Sequence, residues 1–134
     1  MAEYSEKLES GGSLVVTEND WRIEYYFPGP DLRYKGIRMS ISSKNIDRYI
    51  AAWKNNFASY LQLKSLLSLD KGGKFQKAGE EGMVIRIGGI IEGVFIADGW
   101  TMNIYNQEQL DRLINDYERS KERALEIQKM LAKY

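Results

Sequence analysis

Residues 100–117, WTMNIYNQEQLDRLINDY, change their hydrophobic period part of the way along. Trp100, Met102 and Ile104 alternate with Thr101, Asn103 and Tyr105, the period of two that gives a strand one apolar and one polar face. Asn106 then ends the strand and opens a helix. Its side-chain oxygen suits the free N–H groups of a first turn, and Gln109 can reach back to complete a capping box. Leu110, Leu113, Ile114 and Tyr117 recur at helical spacing and continue through Ala124, Ile127 and Leu131, which predicts a helix over residues 107–133. Its apolar stripe must be covered, and the sheet it leaves is the expected partner.

A similar sentence stands some sixty residues earlier. Arg38-Met39-Ser40-Ile41-Ser42 leads into Asn45-Ile46-Asp47-Arg48-Tyr49-Ile50-Ala51-Ala52-Trp53, against Thr101-Met102-Asn103-Ile104 and Gln109-Leu110-Asp111-Arg112-Leu113-Ile114-Asn115-Asp116-Tyr117. Both read as a strand, a polar cap, Asp-Arg in the first turns and an aromatic ring soon after. Either the chain carries an internal duplication, or two strand-to-helix junctions converge because caps and stripes draw on few residue types.

Between these anchors the patterning yields the remaining elements. Residues 1–12 are polar and end in Ser10-Gly11-Gly12, a loose N-terminal arm that could order against a neighbour. Residues 13–17 and 21–27 form a hairpin around Glu18-Asn19-Asp20, with Trp21, Ile23, Tyr25 and Phe27 alternating against polar neighbours. Pro28, Gly29, Pro30 and Asp31 leave the sheet, and residues 36–41 re-enter it. Ser42 or Ser43 caps a helix whose stripe of Ile46, Tyr49, Ile50, Trp53, Phe57, Tyr60, Leu61, Leu63 and Leu67 is broader than one sheet face requires. Residues 71–82 make a glycine- and lysine-rich link, either flexible or one arm of a long hairpin. Residues 83–87 and 90–96 are strands bent at Gly88 and Gly89, and Asp98-Gly99 turns into the strand at Trp100. The fold class is α+β: mostly antiparallel sheet with two long helices, in the order βββα-βββα, in a single domain over 1–134.

Composition narrows the chemistry. Nineteen Lys and Arg balance nineteen Asp and Glu, so the chain as a whole exerts no pull toward DNA, RNA or anionic lipid, and any anion site must be local. Cysteine and histidine are both absent. That removes thiol nucleophiles, the usual zinc ligands and the serine–histidine–acid triad, and no cofactor is expected. The glycine-rich stretches lack both the Gly-Lys-Ser/Thr of a phosphate loop and the following helix of a dinucleotide fingerprint. No apolar run could span a bilayer and no leader stands at the start, so a cytoplasmic protein is expected.

Arg112, Asp116, Arg119 and Arg123 fall along one side of the second helix, where three guanidiniums could grip phosphate oxygens. The same row could equally be a solvated face balanced by Glu118 and Glu122. Aromatic rings stand at strand ends beside polar residues: Trp21 with Arg22, Phe95 before Ala97-Asp98, Trp100, and Tyr105 after Asn103. A ring to stack on, an amide and an arginine are what a nucleotide-like ligand needs. Glu24, Asp31, Glu92 and Asp98 are acid–base candidates, but no spacing fixes a pair of them at a reacting bond. A binding protein is expected rather than an enzyme.

The order of elements over roughly residues 36–131, with GVFIADGWTMNIYNQEQL followed by the arginine-bearing helix, resembles the phage-encoded Thoeris anti-defence sponges. These small proteins sequester a cyclic ADP-ribose isomer made by bacterial TIR-domain enzymes, and some also hold cyclic oligonucleotide signals. The resemblance implies that Phe95 stacks on the ligand's base, Asn103 hydrogen-bonds ribose or base, and Arg119 or Arg123 meets the phosphates. It also implies a homo-oligomer with ligand held between protomers, in the host cytoplasm. The alternative from another class is an immunity protein or antitoxin that blocks a bacterial toxin through a protein interface.

Overall fold

A computed structural model describes residues 2–28, 36–67, 72–99 and 102–134. Its elements run β1 (Glu3–Lys7), β2 (Ser13–Thr17), β3 (Trp21–Phe27), β4 (Ile37–Ser42), α1 (Ile46–Leu67), β5 (Phe75–Ala78), β6 (Val84–Ile87), β7 (Gly93–Phe95), β8 (Asn103–Ile104) and α2 (Gln107–Leu131). Two antiparallel four-stranded meanders result, ordered β1-β2-β3-β4 and β5-β6-β7-β8. The fold is α+β, as the patterning predicts, but each half gains a leading strand and reads ββββα.

The extra strands correct two expectations. Glu3–Lys7 is no loose arm: it pairs with β2 from Glu3 opposite Thr17 to Lys7 opposite Ser13. Ser10, Gly11 and Gly12 are the turn of that hairpin, with Gly11 and Gly12 at positive φ and the Leu8 N–H bonded to the Gly12 carbonyl at 3.0 Å. The strand looks polar because it is an edge, where only Tyr4 and Leu8 pack on the core. In the link, Phe75–Ala78 pairs with β6, so of the two readings of residues 71–82 the hairpin arm is the one formed. Residue 71, residues 29–31 and Trp100 with Thr101 lie outside the described residues.

The chain divides into two compact units, one holding residues 1–47 with 112–134 and the other residues 48–111. Each unit therefore joins the sheet of one half to the helix of the other. In the first, Leu14, Val16, Ala124 and Ile127 form a buried cluster with Tyr4, Leu8, Trp21 and Leu131 against it. The register sets Leu14 opposite Ile23 and Ile23 opposite Ile41, all three buried, while Arg22, Glu24 and Tyr26 point to the other face. Arg22 bridges Glu24 at 2.6 Å and Glu3 at 3.5 Å there. From Arg112 onward α2 lays its stripe on this sheet, not on the sheet it leaves. An apolar stripe states that a helix needs a sheet; it does not state which one.

In the second unit, Ile85 faces Val94, which faces Ile104, and α1 contributes Trp53, Phe57 and Tyr60, all buried. Asn56 is buried among them. Its amide donates to the Glu80 carbonyl at 3.2 Å and its oxygen accepts the Glu80 N–H at 2.9 Å, which pins the 3₁₀ turn Glu80–Gly82. The far end of α1 stays open, with Leu61 and Leu66 exposed. The capping box at α2 forms as expected: Asn106 Oδ1 accepts the Gln109 N–H at 2.9 Å, and Gln109 Oε1 accepts the N–H groups of Tyr105 and Asn106 at 2.8 and 3.3 Å. The cap expected at Ser42 or Ser43 does not. A 3₁₀ turn, Ser43–Asn45, precedes α1 with no side-chain cap on Ser42, and the Ser43 hydroxyl is spent on Asp20 at 2.8 Å.

Inside the first unit, the Tyr25 and Tyr117 hydroxyls meet at 2.6 Å, both buried. Burial first, then the neighbouring hydroxyl and the Asp116 carboxylate, hold the Tyr25 phenol well above its ordinary 10.0. Removing one member of such a pair strands the other. Tyr117→Phe is expected to destabilise the fold by about 1–3 kcal/mol in urea unfolding, and Tyr25→Phe/Tyr117→Phe to lose less than the two single changes summed. Because the Tyr25 phenol resists ionisation when folded, its stabilisation is complete below pH 10.0 and declines above it.

Candidate functional site

The residues expected to hold a ligand divide between the units. Trp21, Arg112, Arg119 and Arg123 belong to the first, Phe95 and Asn103 to the second. Trp21 leans on the Leu14–Val16 cluster. Asp116 is buried and accepts the Ser10 N–H at 2.7 Å and the Ser10 hydroxyl, so it fastens the β1–β2 turn to α2. Arg123 is consumed: it donates to Glu6 at 3.0 Å, to Glu126 at 3.1 Å and to the Tyr4 hydroxyl at 3.4 Å. Arg112 and Arg119 are exposed.

A groove of about 400 Å³ does run beside Arg119 and Arg123, but it is lined by Glu6, Glu9, Asp116, Glu122 and Glu126 against Lys7 and the two arginines. Five carboxylates against three cations repel a phosphate rather than collect one. Of the row, Arg123 fastens β1 to α2, and Arg112 and Arg119 stand exposed on the same helix.

Phe95 and Asn103 do meet, opposite one another across β7 and β8. Phe95 is buried, with the Arg86 guanidinium 5.1 Å from its ring centroid and Gly99 packed so closely on the ring that a Cβ there would stand 3.1 Å from it. Asn103 donates to the Glu92 carbonyl at 2.8 Å. Its own Oδ1 is buried without a partner beside Gly93, where any Cβ would overlap it.

The cleft with the better chemistry lies at the end of the second sheet, where β5 begins and β6 turns toward β7. Lys74, Phe75, Gln76, Arg86 and residues 88–91 line it, around about 500 Å³, within the range of small-ligand pockets. It carries two cations and no carboxylate. Arg86 is oriented by its cross-strand neighbour: Nε and Nη2 donate to Gln76 Oε1 at 2.9 and 2.6 Å, which leaves Nη1 for another acceptor. The Phe75 ring is half-buried, and Ile90 is 92% exposed at the rim. Gly88 and Gly89 both adopt positive φ, and a Cβ at Gly88 would overlap the Gly73 carbonyl oxygen, so the loop closes only because glycine stands there.

Sequence reasoning overlooked Lys74, Phe75 and Arg86. Glycine-rich DKGGKFQKAGEEG hid a four-residue edge strand, and the Gln76–Arg86 pair becomes visible only once the register of β5 and β6 is known. Glu92, an acid–base candidate, accepts hydrogen bonds from the Tyr60 hydroxyl at 2.8 Å, from Lys64 at 2.8 Å and from the Gly88 N–H at 2.9 Å. Among the described residues no group of acidic side chains converges to hold a metal ion, and no helix is long and apolar enough to cross a membrane.

Comparison of the chain with models of known families, with curated proteins and with solved structures gives no match.

Burial raises the Glu92 carboxyl, but the Lys64 ammonium, the Gly88 N–H and the Tyr60 hydroxyl outweigh it and hold the group below its ordinary 4.5. A depressed carboxyl stabilises the fold fully above pH 4.5 and loses that contribution as pH falls through the lower folded value. Amide exchange at Gly88 is therefore expected to accelerate below pH 4.5 relative to the intrinsic rate, and in Glu92→Gln this acid-specific step should vanish.

Proposed function

We propose that the protein is a non-catalytic binding protein that sequesters a small phosphorylated, nucleotide-like molecule in the Lys74–Arg86 cleft. The observation that carries this reading is the charge of that cleft: two cations, one of them pre-oriented, beside a half-buried ring and with no carboxylate on the lining. A phosphate would meet Lys74 as a point charge and Arg86 as a planar donor, while Ile90 and Ile91 cover an apolar ring. The ligand class implied by the resemblance, a cyclic ADP-ribose isomer or a cyclic oligonucleotide, has this composition, and the counter-defence role of such sponges is the setting the proposal adopts.

Calorimetry with cyclic ADP-ribose isomers and with cyclic di- and trinucleotides tests the reading. Binding at about micromolar Kd or tighter is expected for at least one of them, the range in which sequestration competes with a receptor. Lys74→Met and Arg86→Met should each weaken it about tenfold or more, in line with the loss of a charge-assisted hydrogen bond, whereas Arg119→Met should leave it within about twofold. No binding across the panel overturns the proposal.

A second reading, an immunity protein that blocks a toxin by contact, draws on the exposed Leu61 and Leu66 of α1 and the exposed Ile90 of the cleft rim. Capture of a toxin encoded beside this chain, lost in Leu61→Ser/Leu66→Ser with no small-ligand binding, would favour it.

A further inference from the structure

One stretch of the cleft lining, residues 88–91, has no regular structure to hold it. One side chain grips its first amide: Glu92, the residue that ends the loop, accepts the Gly88 N–H through Oε1 at 2.9 Å. Glu92 Oε2 accepts from the Tyr60 hydroxyl and from Lys64, each at 2.8 Å. These two donors stand one helical turn apart on α1, with the Lys64 ammonium 5.7 Å from the centroid of the Tyr60 ring. Asn103 fixes the same residue from behind, donating to the Glu92 carbonyl at 2.8 Å. Both oxygens of the carboxylate and the backbone of Glu92 are thus spoken for, and a charge partner neutralises it at the site.

We propose that Glu92 is the positioning residue of the cleft: clasped by Tyr60, Lys64 and Asn103, it holds residues 88–91 in the one conformation that faces Lys74 and Arg86, without touching the ligand. The inference rests on the cleft being the binding site. It also gives Asn103 a role different from ligand recognition, since its amide acts on the ligand only through Glu92. The physical gain is preorganisation. A loop already closed before the ligand arrives loses less freedom on binding. Gly89 lies against the Lys74 stem, 3.6 Å from Cε for a Cβ placed there, so a loosened loop also frees Lys74 to swing away.

The test uses the full chain with ADP-ribose and inorganic pyrophosphate as probes, and reads affinity by calorimetry beside hydrogen exchange of the amides in residues 88–91. Glu92→Ala is expected to weaken binding about tenfold, the scale of a few side chains and a short loop left to be ordered by the ligand, and to speed exchange at Gly88 and its neighbours. Glu92→Gln keeps an oxygen for the Gly88 N–H but sets an amide N–H against the Lys64 ammonium, so Glu92→Gln/Lys64→Met, whose amide N–H can donate to the Tyr60 hydroxyl instead, should stay within about threefold of the parent, a rescue that a general loss of stability would not show. If Glu92→Ala fails to fold, Tyr60→Phe/Lys64→Met removes the same anchor from the helix side and carries the same expectation. Parent-like affinity in Glu92→Ala, or in Tyr60→Phe/Lys64→Met, overturns the inference. If the parent chain binds neither probe, the reading of the cleft as a phosphate site is what fails, and exchange decides the clasp by itself: faster exchange in Glu92→Ala supports it, unchanged exchange overturns it.

Discussion

Burial of an amphipathic helix against a meander with one apolar face is the constraint on which both units depend. A sheet with one apolar face must bury that face against another element, and each meander here has such a face built from alternating apolar residues: Leu14, Ile23 and Ile41 across the first, Ile85, Val94 and Ile104 across the second. Each is covered by a helix from the opposite half of the sequence. The exchange gives the chain its economy of parts. One ββββα pattern, used twice, makes two cores, and neither half can complete its own.

The exchange also explains where charge can act. Once α2 lies over β1 and β2, its inward-facing polar residues become fasteners: Asp116 ties down Ser10, and Arg123 is shared between Glu6, Glu126 and the Tyr4 hydroxyl. A guanidinium with two carboxylates within hydrogen-bonding distance has little left to offer a third anion. At the end of the second sheet the balance reverses. Arg86 is met by the neutral Gln76, which orients it without cancelling its charge. A neutral acceptor beside an arginine prepares it for an anionic ligand, whereas a carboxylate satisfies it. That distinction moves the candidate site from the helix, where the arginines are most numerous, to the sheet end, where the charge is least compensated.

Much of the fold was legible in the residues, and the reasons are local. Period-two alternation in Trp21–Phe27 and the Asn106–Gln109 capping box are short-range signals, and both appear in the structure as read. The stripe Leu113, Tyr117, Ala124 and Ile127 is buried as its spacing requires. The first leading strand was missed, and the second left as one of two readings, because edge strands carry polar residues on both faces, so the alternation that marks a strand is faint in Glu3–Lys7 and absent in Phe75–Ala78. The Ser10-Gly11-Gly12 turn was the signal that could have found the first of them. The site was much less legible. Phe95 stands opposite Asn103, but whether a ring is covered depends on Arg86 and Gly99, which meet it only through strand register and a turn. Cleft chemistry of this kind is a property of neighbours, and a single chain read in order does not state which residues become neighbours.

On the proposed reading an anion enters at the end of the second sheet and not along α2. A nitrogen-15 heteronuclear NMR titration of the full chain with ADP-ribose separates the two places. Perturbed amides are expected at Lys74, Phe75, Gln76, Arg86 and residues 88–91, with Glu6, Glu9, Arg119 and Arg123 unmoved. Perturbations confined to the β1–α2 groove, with the Lys74–Arg86 cleft silent, would overturn it.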